Sequence, residues 1–136
     1  MSDAIWLANQ AFYAAFQDLD LAAMVPVWSH QEHAACIHPG WPILVGWDEV
    51  RGSFERIFEN TGFMRFELTE VDIHDFGELA RVTCVENIYA VQGVQSLHSK
   101  VACTNLFERV DGAWLMILHQ GSPMSLTRAQ DAEGEA

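Results

Sequence analysis

The hydrophobic pattern of this chain changes period once. Up to about residue 62 apolar side chains recur at helical spacing, and from Met64 onward they form strand-like runs. Ile5, Trp6, Asn9, Phe12, Tyr13 and Phe16 share one face of a first helix, with Ser2 or Asp3 placed to cap it. Asp20 can cap a second, short helix through Leu21, Met24 and Trp28, which Pro26 should kink or shorten. His33–His38 reads as a short strand, and Pro39-Gly40-Trp41-Pro42 as a turn. A third helix follows Gly46, presents Val50, Phe54, Ile57 and Phe58 inward, and stops near Asn60-Thr61-Gly62.

The second half reads as strands over Met64–Asp75, Leu79–Val91, Ser96–Val110 and Ala113–Ser122. Turns fall at Asp75-Phe76-Gly77, around Gly93 and at Asp111-Gly112, and Asp-Gly between apolar runs is a strong hairpin signal. The last strand is apolar on both faces, with Leu115 and Ile117 on one and Trp114, Met116 and Leu118 on the other. Both sides should therefore be covered, the outer one by a second copy in a homodimer. Helices first and strands afterwards is the α+β order, a meander with helices packed on one face. Residues 1–124 form a single domain in this reading, and the polar, acidic, aperiodic stretch 125–136 a flexible tail.

Composition narrows the partners. A net charge of −12 with only seven Lys and Arg gives no basic stripe, which excludes nucleic acid and an anionic membrane surface as expected partners. No apolar run approaches the roughly 20 residues of a membrane span, and Met1-Ser2-Asp3 is acidic where a signal peptide is basic. Cys36, Cys84 and Cys103 are an odd set in apolar strand contexts, which fits buried reduced thiols in a cytoplasmic protein. Six histidines form no HxxxH or HExxH helix, and no GxGxxG or P-loop is present, so neither a metal nor a cofactor is expected.

Three pieces carry a resemblance when taken together: Cys36-Ile37-His38-Pro39-Gly40-Trp41 followed by Gly46 and a helix; Val85-Glu86-Asn87-Ile88 in mid-strand; and Thr104-Asn105 through Asp111-Gly112-Ala113-Trp114 to His119-Gln120-Gly121-Ser122-Pro123. They resemble the nuclear-transport-factor-2-like superfamily, and within it the SnoaL-like group. The resemblance implies a cone-shaped α+β fold, a curved antiparallel sheet wrapped around three N-terminal helices. It also implies a deep apolar pocket at the open end and dimers through the outer sheet face. That superfamily hosts isomerases, polyketide cyclases, epoxide hydrolases, dehydratases and non-catalytic association domains, so the fold alone does not settle activity. The chain departs from the enzymatic members at several points. Leu118-His119-Gln120 stands where the cyclases carry an acid/base Asp, no strand offers the Asp-Arg-Asp arrangement of the epoxide hydrolases, and neither Tyr13 nor Tyr89 has an obvious carboxylate partner.

The candidate site residues are few. His119 ends an apolar strand as a group able to exchange protons near neutrality, on one face with Leu115, Ile117 and Gly121, the glycine leaving room for a ligand beside it. Glu86, amid Val82, Cys84, Ile88 and Ala90, is either a pocket carboxylate with a raised pKa or a charge facing solvent, a dimer partner, Lys100 or Arg109. Asn105 and Tyr89 could donate to a ligand, His38 and Trp41 could sit at the pocket mouth, and Tyr13 and Trp28 should line its inner wall. Register decides between them. If Asp111-Gly112 is a two-residue turn, Thr104 opposes His119 and shares its face; a bulge would bring Asn105 there instead. The expected function is binding of a small apolar molecule bearing a carbonyl, hydroxyl or carboxylate. Chemistry on it would be cofactor-free isomerisation, cyclisation or dehydration with His119 and Glu86 as acid/base groups, and the alternative is a non-catalytic ligand-binding or association domain.

Overall fold

The computed structural model describes residues 2–126. Three helices, α1 (Ser2–Gln17), α2 (Leu21–Met24) and α3 (Trp47–Glu59), pack in the concavity of a curved, unclosed six-stranded sheet. Its strands are β1 (Ala35–Ile37), β2 (Leu44–Val45), β3 (Phe63–Asp75), β4 (Leu79–Gln92), β5 (Gln95–Val110) and β6 (Ala113–Met124), in the spatial order β2-β1-β6-β5-β4-β3. β3 to β6 form the expected antiparallel meander, whereas β1 joins β6 in parallel, so the sheet is mixed. The parallel pair arises because α3 and β3 to β5 intervene between β1 and β6, long enough for a crossover that no hairpin could make. Among the described residues no helix is long and apolar enough to cross a membrane. From residue 127 on, the expected acidic tail lies outside the described residues.

Local chemistry sets the helix ends. The Asp20 side chain accepts from the Ala23 amide at 3.1 Å and caps α2, which stops at Met24 where Pro26 forces a 3-10 turn. Gly46, at φ +93°, turns the chain into α3. Trp6 departs from its expected inward position: it is 46 % exposed, because the buried stripe of α1 runs through Ile5, Asn9, Phe12, Tyr13 and Phe16.

The β5–β6 hairpin positions the site. Asp111 (φ +51°) and Gly112 (φ +81°) make the two-residue turn, with Val110 opposite Ala113. Phe107 then opposes Met116, yet Leu106 opposes Leu118, so Ile117 is an extra residue bulged out of β6. Beyond the bulge every pairing is shifted by one, and Asn105 stands opposite His119 while Thr104 faces Gln120. His119 thus follows the buried Trp114 and Met116, and the Leu115–Ile117 stripe expected beside it lies only half-buried on the other face.

Candidate functional site

α1 and the inner face of β4 to β6 meet in a cluster of buried polar side chains. Asn9 and Tyr13 are one helical turn apart and point the same way. Glu86 and Cys84 come from β4, Cys103 and Asn105 from β5, and His119 from β6. Asn105 is 0 %, Asn9 and His119 1 %, Glu86 2 % and Tyr13 4 % exposed. Burying so many polar groups costs free energy unless they satisfy one another, and most do. The Tyr13 hydroxyl donates to Glu86 Oε2 at 2.5 Å. Asn105 Nδ2 donates to Asn9 Oδ1 at 2.9 Å and to the Tyr13 oxygen at 3.2 Å. Asn105 Oδ1 accepts from His119 Nδ1 at 2.7 Å and from the Cys103 thiol at 3.4 Å. The other imidazole nitrogen, Nε2, faces Glu86 Oε2 across 4.0 Å. Asn9 Nδ2 is the exception, fully buried without a partner.

Electrostatics assign the protons. Burial pushes the Glu86 carboxyl up to about 7, against the lowering effect of the hydrogen bonds from Tyr13 and Cys103. Burial, and then the Glu86 charge, holds Tyr13 well above the usual phenol range, so it remains a donor. Burial, with His38 as the second cause, drives His119 down to about 3. At neutral pH the imidazole is therefore uncharged, its Nδ1 proton committed to Asn105. Of the two acid/base candidates from the sequence, Glu86 is thus the one whose protonation changes near neutrality, while His119 stays neutral. Glu86, Cys103 and His119 offer ligand atoms within 4.8 Å of one another, close enough to share one metal ion. Their bonding already has a protonic logic, however: the hydrogen bond with Cys84, and then burial, keep the Cys103 thiol protonated, and Glu86 and His119 Nδ1 are engaged with Tyr13 and Asn105.

The remaining predicted residues scatter. His38 is buried 6.1 Å from the His119 ring, where its Nε2 bonds Ser53 Oγ at 2.9 Å; it lines the core beneath a half-buried Trp41 instead of a pocket mouth. Trp28 packs against Phe12 and Phe54 with its indole N–H unpartnered. Tyr89 does not join the cluster: it stacks on His98 at 4.4 Å and under Arg65 at 4.5 Å, on the opposite side of β4 from Glu86. The odd separation between residues 86 and 89 on one strand requires that placement. Gly121 leaves no room either, since a Cβ there would meet Val101 Cγ1 at 2.8 Å and Pro39 Cγ at 3.2 Å. Two relationships escaped the sequence reading. Tyr13 does have a carboxylate partner, Glu86, 73 positions away. Asn9, read only as a helix-face position, is part of the cluster; its signal was a carboxamide amid an apolar stripe.

Phe12 covers His119 at a ring distance of 4.7 Å, and Phe66 packs on Tyr13 at 5.2 Å. A cleft of about 260 Å³ opens beside the cluster between α1 and β3, where Tyr13 is bordered by Gln10, Gln17, Phe66 and Leu68. Gln17 spans this cleft, its Oε1 accepting from the Phe66 amide at 2.9 Å on the sheet edge.

Comparison with known proteins agrees with this architecture. The family model described as a SnoaL-like domain matches residues 5–126. Among solved structures, a candidate dehydratase of the NTF2-like family from Streptomyces avermitilis is 34 % identical, with a TM-score of 0.85 over 90 % of this chain and 95 % of that one. A candidate calcium/calmodulin-dependent protein kinase type II association domain from Thiobacillus denitrificans is 29 % identical, with a TM-score of 0.77 over 87 % and 93 %. F-box protein SKIP8 of Arabidopsis thaliana is 28 % identical over 127 residues, 93 % of this chain but 52 % of that protein, so the chain spans about half its length.

Proposed function

The chain belongs to the SnoaL-like family, and from that premise we propose that it is a cofactor-free proton-transfer enzyme of the isomerase or dehydratase type. Glu86 is the acid/base group. One observation carries the reading: a carboxylate buried to 2 % exposure, held near neutrality, stands 2.5 Å from a phenol and 4.0 Å from a neutral imidazole. A carboxylate poised near the working pH is the group that both takes and returns a proton efficiently. Tyr13 orients it, Asn105 fixes the imidazole tautomer, and His119 presents Nε2 toward the same oxygen. Because the cluster is closed by Phe12 and Phe66, a substrate enters by displacing them, from the α1–β3 cleft. The resemblance to a candidate dehydratase at 34 % identity supports the reaction type.

The test is isotope exchange. Small neutral ketones and β-hydroxyketones incubated with the protein in D2O should gain deuterium beside the carbonyl or lose water, followed by NMR. The rate should rise as pH passes through about 7 and Glu86 ionises. Exchange that Glu86→Gln leaves unchanged, or a panel with no turnover above buffer, would overturn the proposal.

A second reading rests on the outer face, where Leu106, Leu115, Ile117 and Leu118 are only half-buried among the described residues. It makes the domain a homodimer through β5 and β6, as the resemblance to an association domain supports. Sedimentation at micromolar concentration should give twice the mass of 15.3 kDa, and a monomer would refute it. Three free, buried thiols fit a reducing compartment such as the cytoplasm.

A further inference from the structure

Within the buried cluster, Asn9 is the member whose hydrogen bonding is incomplete. Its Oδ1 accepts from Asn105 Nδ2 at 2.9 Å, which fixes the carboxamide inside the cluster, yet the Nδ2 of the same amide has no partner at 1 % exposure. Leaving such a donor unmade costs its full desolvation, and the neighbouring polar atoms are already committed to one another. An oxygen acceptor brought by a ligand relieves that cost; an alkyl group does not.

The charges around it decide which oxygen. Of the seven Lys and Arg, Arg56 lies over Trp41, Arg65 over Tyr89, Arg81 over Phe76, and Arg109 pairs with Glu78. Arg51 is exposed, Lys100 lies beyond Cys103 along β5, and Arg128 is outside the described residues. No basic side chain hydrogen-bonds or pairs with a member of the cluster among the described residues. The nearest histidines are neutral, burial holding them at about 3 and about 4. A ligand carboxylate would meet the Glu86 charge with no counter-ion, at a prohibitive desolvation cost.

We propose that Asn9 is a ligand-binding residue whose Nδ2 donates to the carbonyl oxygen of a neutral carbonyl compound, and that carboxylates are rejected by the same cluster. The inference rests on reading this cluster as the proton-transfer site and names its substrate class. In the reaction, Glu86 removes a proton from the carbon next to the carbonyl. The C–H electron pair becomes the new C=C bond, the C=O pair moves onto oxygen, and the oxygen's negative charge is held by the Asn9 N–H. Glu86 then returns the proton to carbon, so no oxidant or reductant is needed.

Cyclohexanone, cyclohexanecarboxylate and methylcyclohexane serve as probes, matched in ring and different in polar group. In the 15N-labelled protein at pH 8, cyclohexanone should shift the Asn9 side-chain NH2 resonances, assigned by their loss in Asn9→Asp, while the other two leave them in place. Asn9→Asp keeps an acceptor for Asn105, exchanges the N–H donor for a carboxyl oxygen and adds a charge when ionised; it should bind cyclohexanone about tenfold more weakly. An equal response to methylcyclohexane, binding of the carboxylate as tight as that of the ketone, or resonances that do not move at saturating ketone would each overturn the assignment. The wild-type titration decides the matter even if Asn9→Asp fails to fold. Glu86→Gln separates the two proposals. Ketone binding that persists with no deuterium exchange in either protein sinks proton transfer and leaves Asn9 standing; exchange retained in Asn9→Asp at unchanged KM does the reverse.

Discussion

Two buried histidines, 6.1 Å apart, sit in networks of opposite character. His38 bonds Ser53 Oγ at 2.9 Å, and Ser53 donates its only proton to the Val50 carbonyl at 2.6 Å. That chain ends on the backbone of α3, closed and fully accounted for by folding. The His119 network runs through Asn105 to Asn9 and to Tyr13 and Glu86, and ends on an unpartnered N–H and on a carboxyl that titrates near neutrality. Both are equally hidden from water. A closed network explains its own presence as structure, whereas an open one retains binding capacity that the fold does not use.

The largest effect should separate the two networks by function. Glu86→Gln keeps the shape of the side chain and its acceptor for Tyr13 but removes the proton exchange, so turnover in the deuterium assay should fall about 10²–10⁴-fold. His38→Gln should leave turnover within about twofold, the margin of a side chain that touches neither substrate nor acid/base group. Equal losses in the two variants, measured by NMR at pH 7.5, would erase the distinction.

Stability against pH sharpens it next, because the two histidines and Glu86 titrate with opposite signs. His38 and His119 protonate near 6.5 when unfolded but only at about 4 and about 3 in the fold. The unfolded chain therefore takes up protons that the fold refuses, and stability falls as pH drops below 6.5, by about 5 kcal/mol for His119 once pH passes its folded value. Glu86 is raised from 4.5 to about 7, so the stability it contributes is full below 4.5 and is lost as pH rises through 7, about 3 kcal/mol in all. Between pH 6.5 and 8 the gain from two histidines cancels the loss from one carboxyl, so the curve is level there, and below 6.5 the two histidines outweigh Glu86 and stability falls. In urea unfolding at pH 5, 6.5 and 8, Glu86→Gln should roughly double the loss between 6.5 and 5, because nothing then offsets the histidines, and should go on gaining stability to pH 8 where the wild type stays level. Wild-type and Glu86→Gln curves that run parallel from pH 5 to 8 would contradict the assignment.

How much of this was legible in the sequence depended on how local each cause is. The Asp111-Gly112 turn was readable because positive φ at two adjacent positions is a demand on those residues alone. The bulge at Ile117 was not, since nothing in Leu115-Met116-Ile117-Leu118 distinguishes which apolar residue is left over; packing of Met116 inward and His119 inward decides it. That single residue selects Asn105 over Thr104 as the partner of His119. Glu86 was legible as an anomaly, a carboxylate among apolar neighbours, but its partner Tyr13 sits on α1 and only tertiary structure joins them. Asn9 offered the same kind of anomaly on a helix and passed for core.

A smaller effect tests the closed network itself. Ser53→Ala leaves the His38 N–H buried without its acceptor and should cost about 2 kcal/mol, with turnover and the cyclohexanone shift unchanged. Replacing both partners, Ser53→Ala with His38→Leu, should recover much of that loss, because no polar group then remains unpaired. Urea midpoints of the three proteins measure this; a double variant less stable than either single one would mean that the His38 network does more than satisfy itself.

The smallest expected effect concerns Gly121, which separates space for a ligand from space already filled. If the missing side chain left room beside His119, Gly121→Ala would weaken ketone binding at little cost in stability. The structure demands the reverse. An added Cβ would stand 2.8 Å from Val101 Cγ1 and 3.2 and 3.3 Å from the Pro39 ring, all well inside contact distance. Neither neighbour yields easily, since valine is stiff at χ1 and the proline ring is fixed by its own backbone. Overpacking of this kind typically costs 1–3 kcal/mol, and with one methyl against one valine branch about 1 kcal/mol is expected at Gly121, with the cyclohexanone affinity unchanged. Val101→Ala removes the branch that the methyl strikes, so the double variant should lose less than the sum of the two single losses in a urea-denaturation cycle. Additive losses would show that the strain falls on Pro39 and the turn after β1 instead. A drop in ketone affinity without a drop in stability would return the space beside His119 to the ligand.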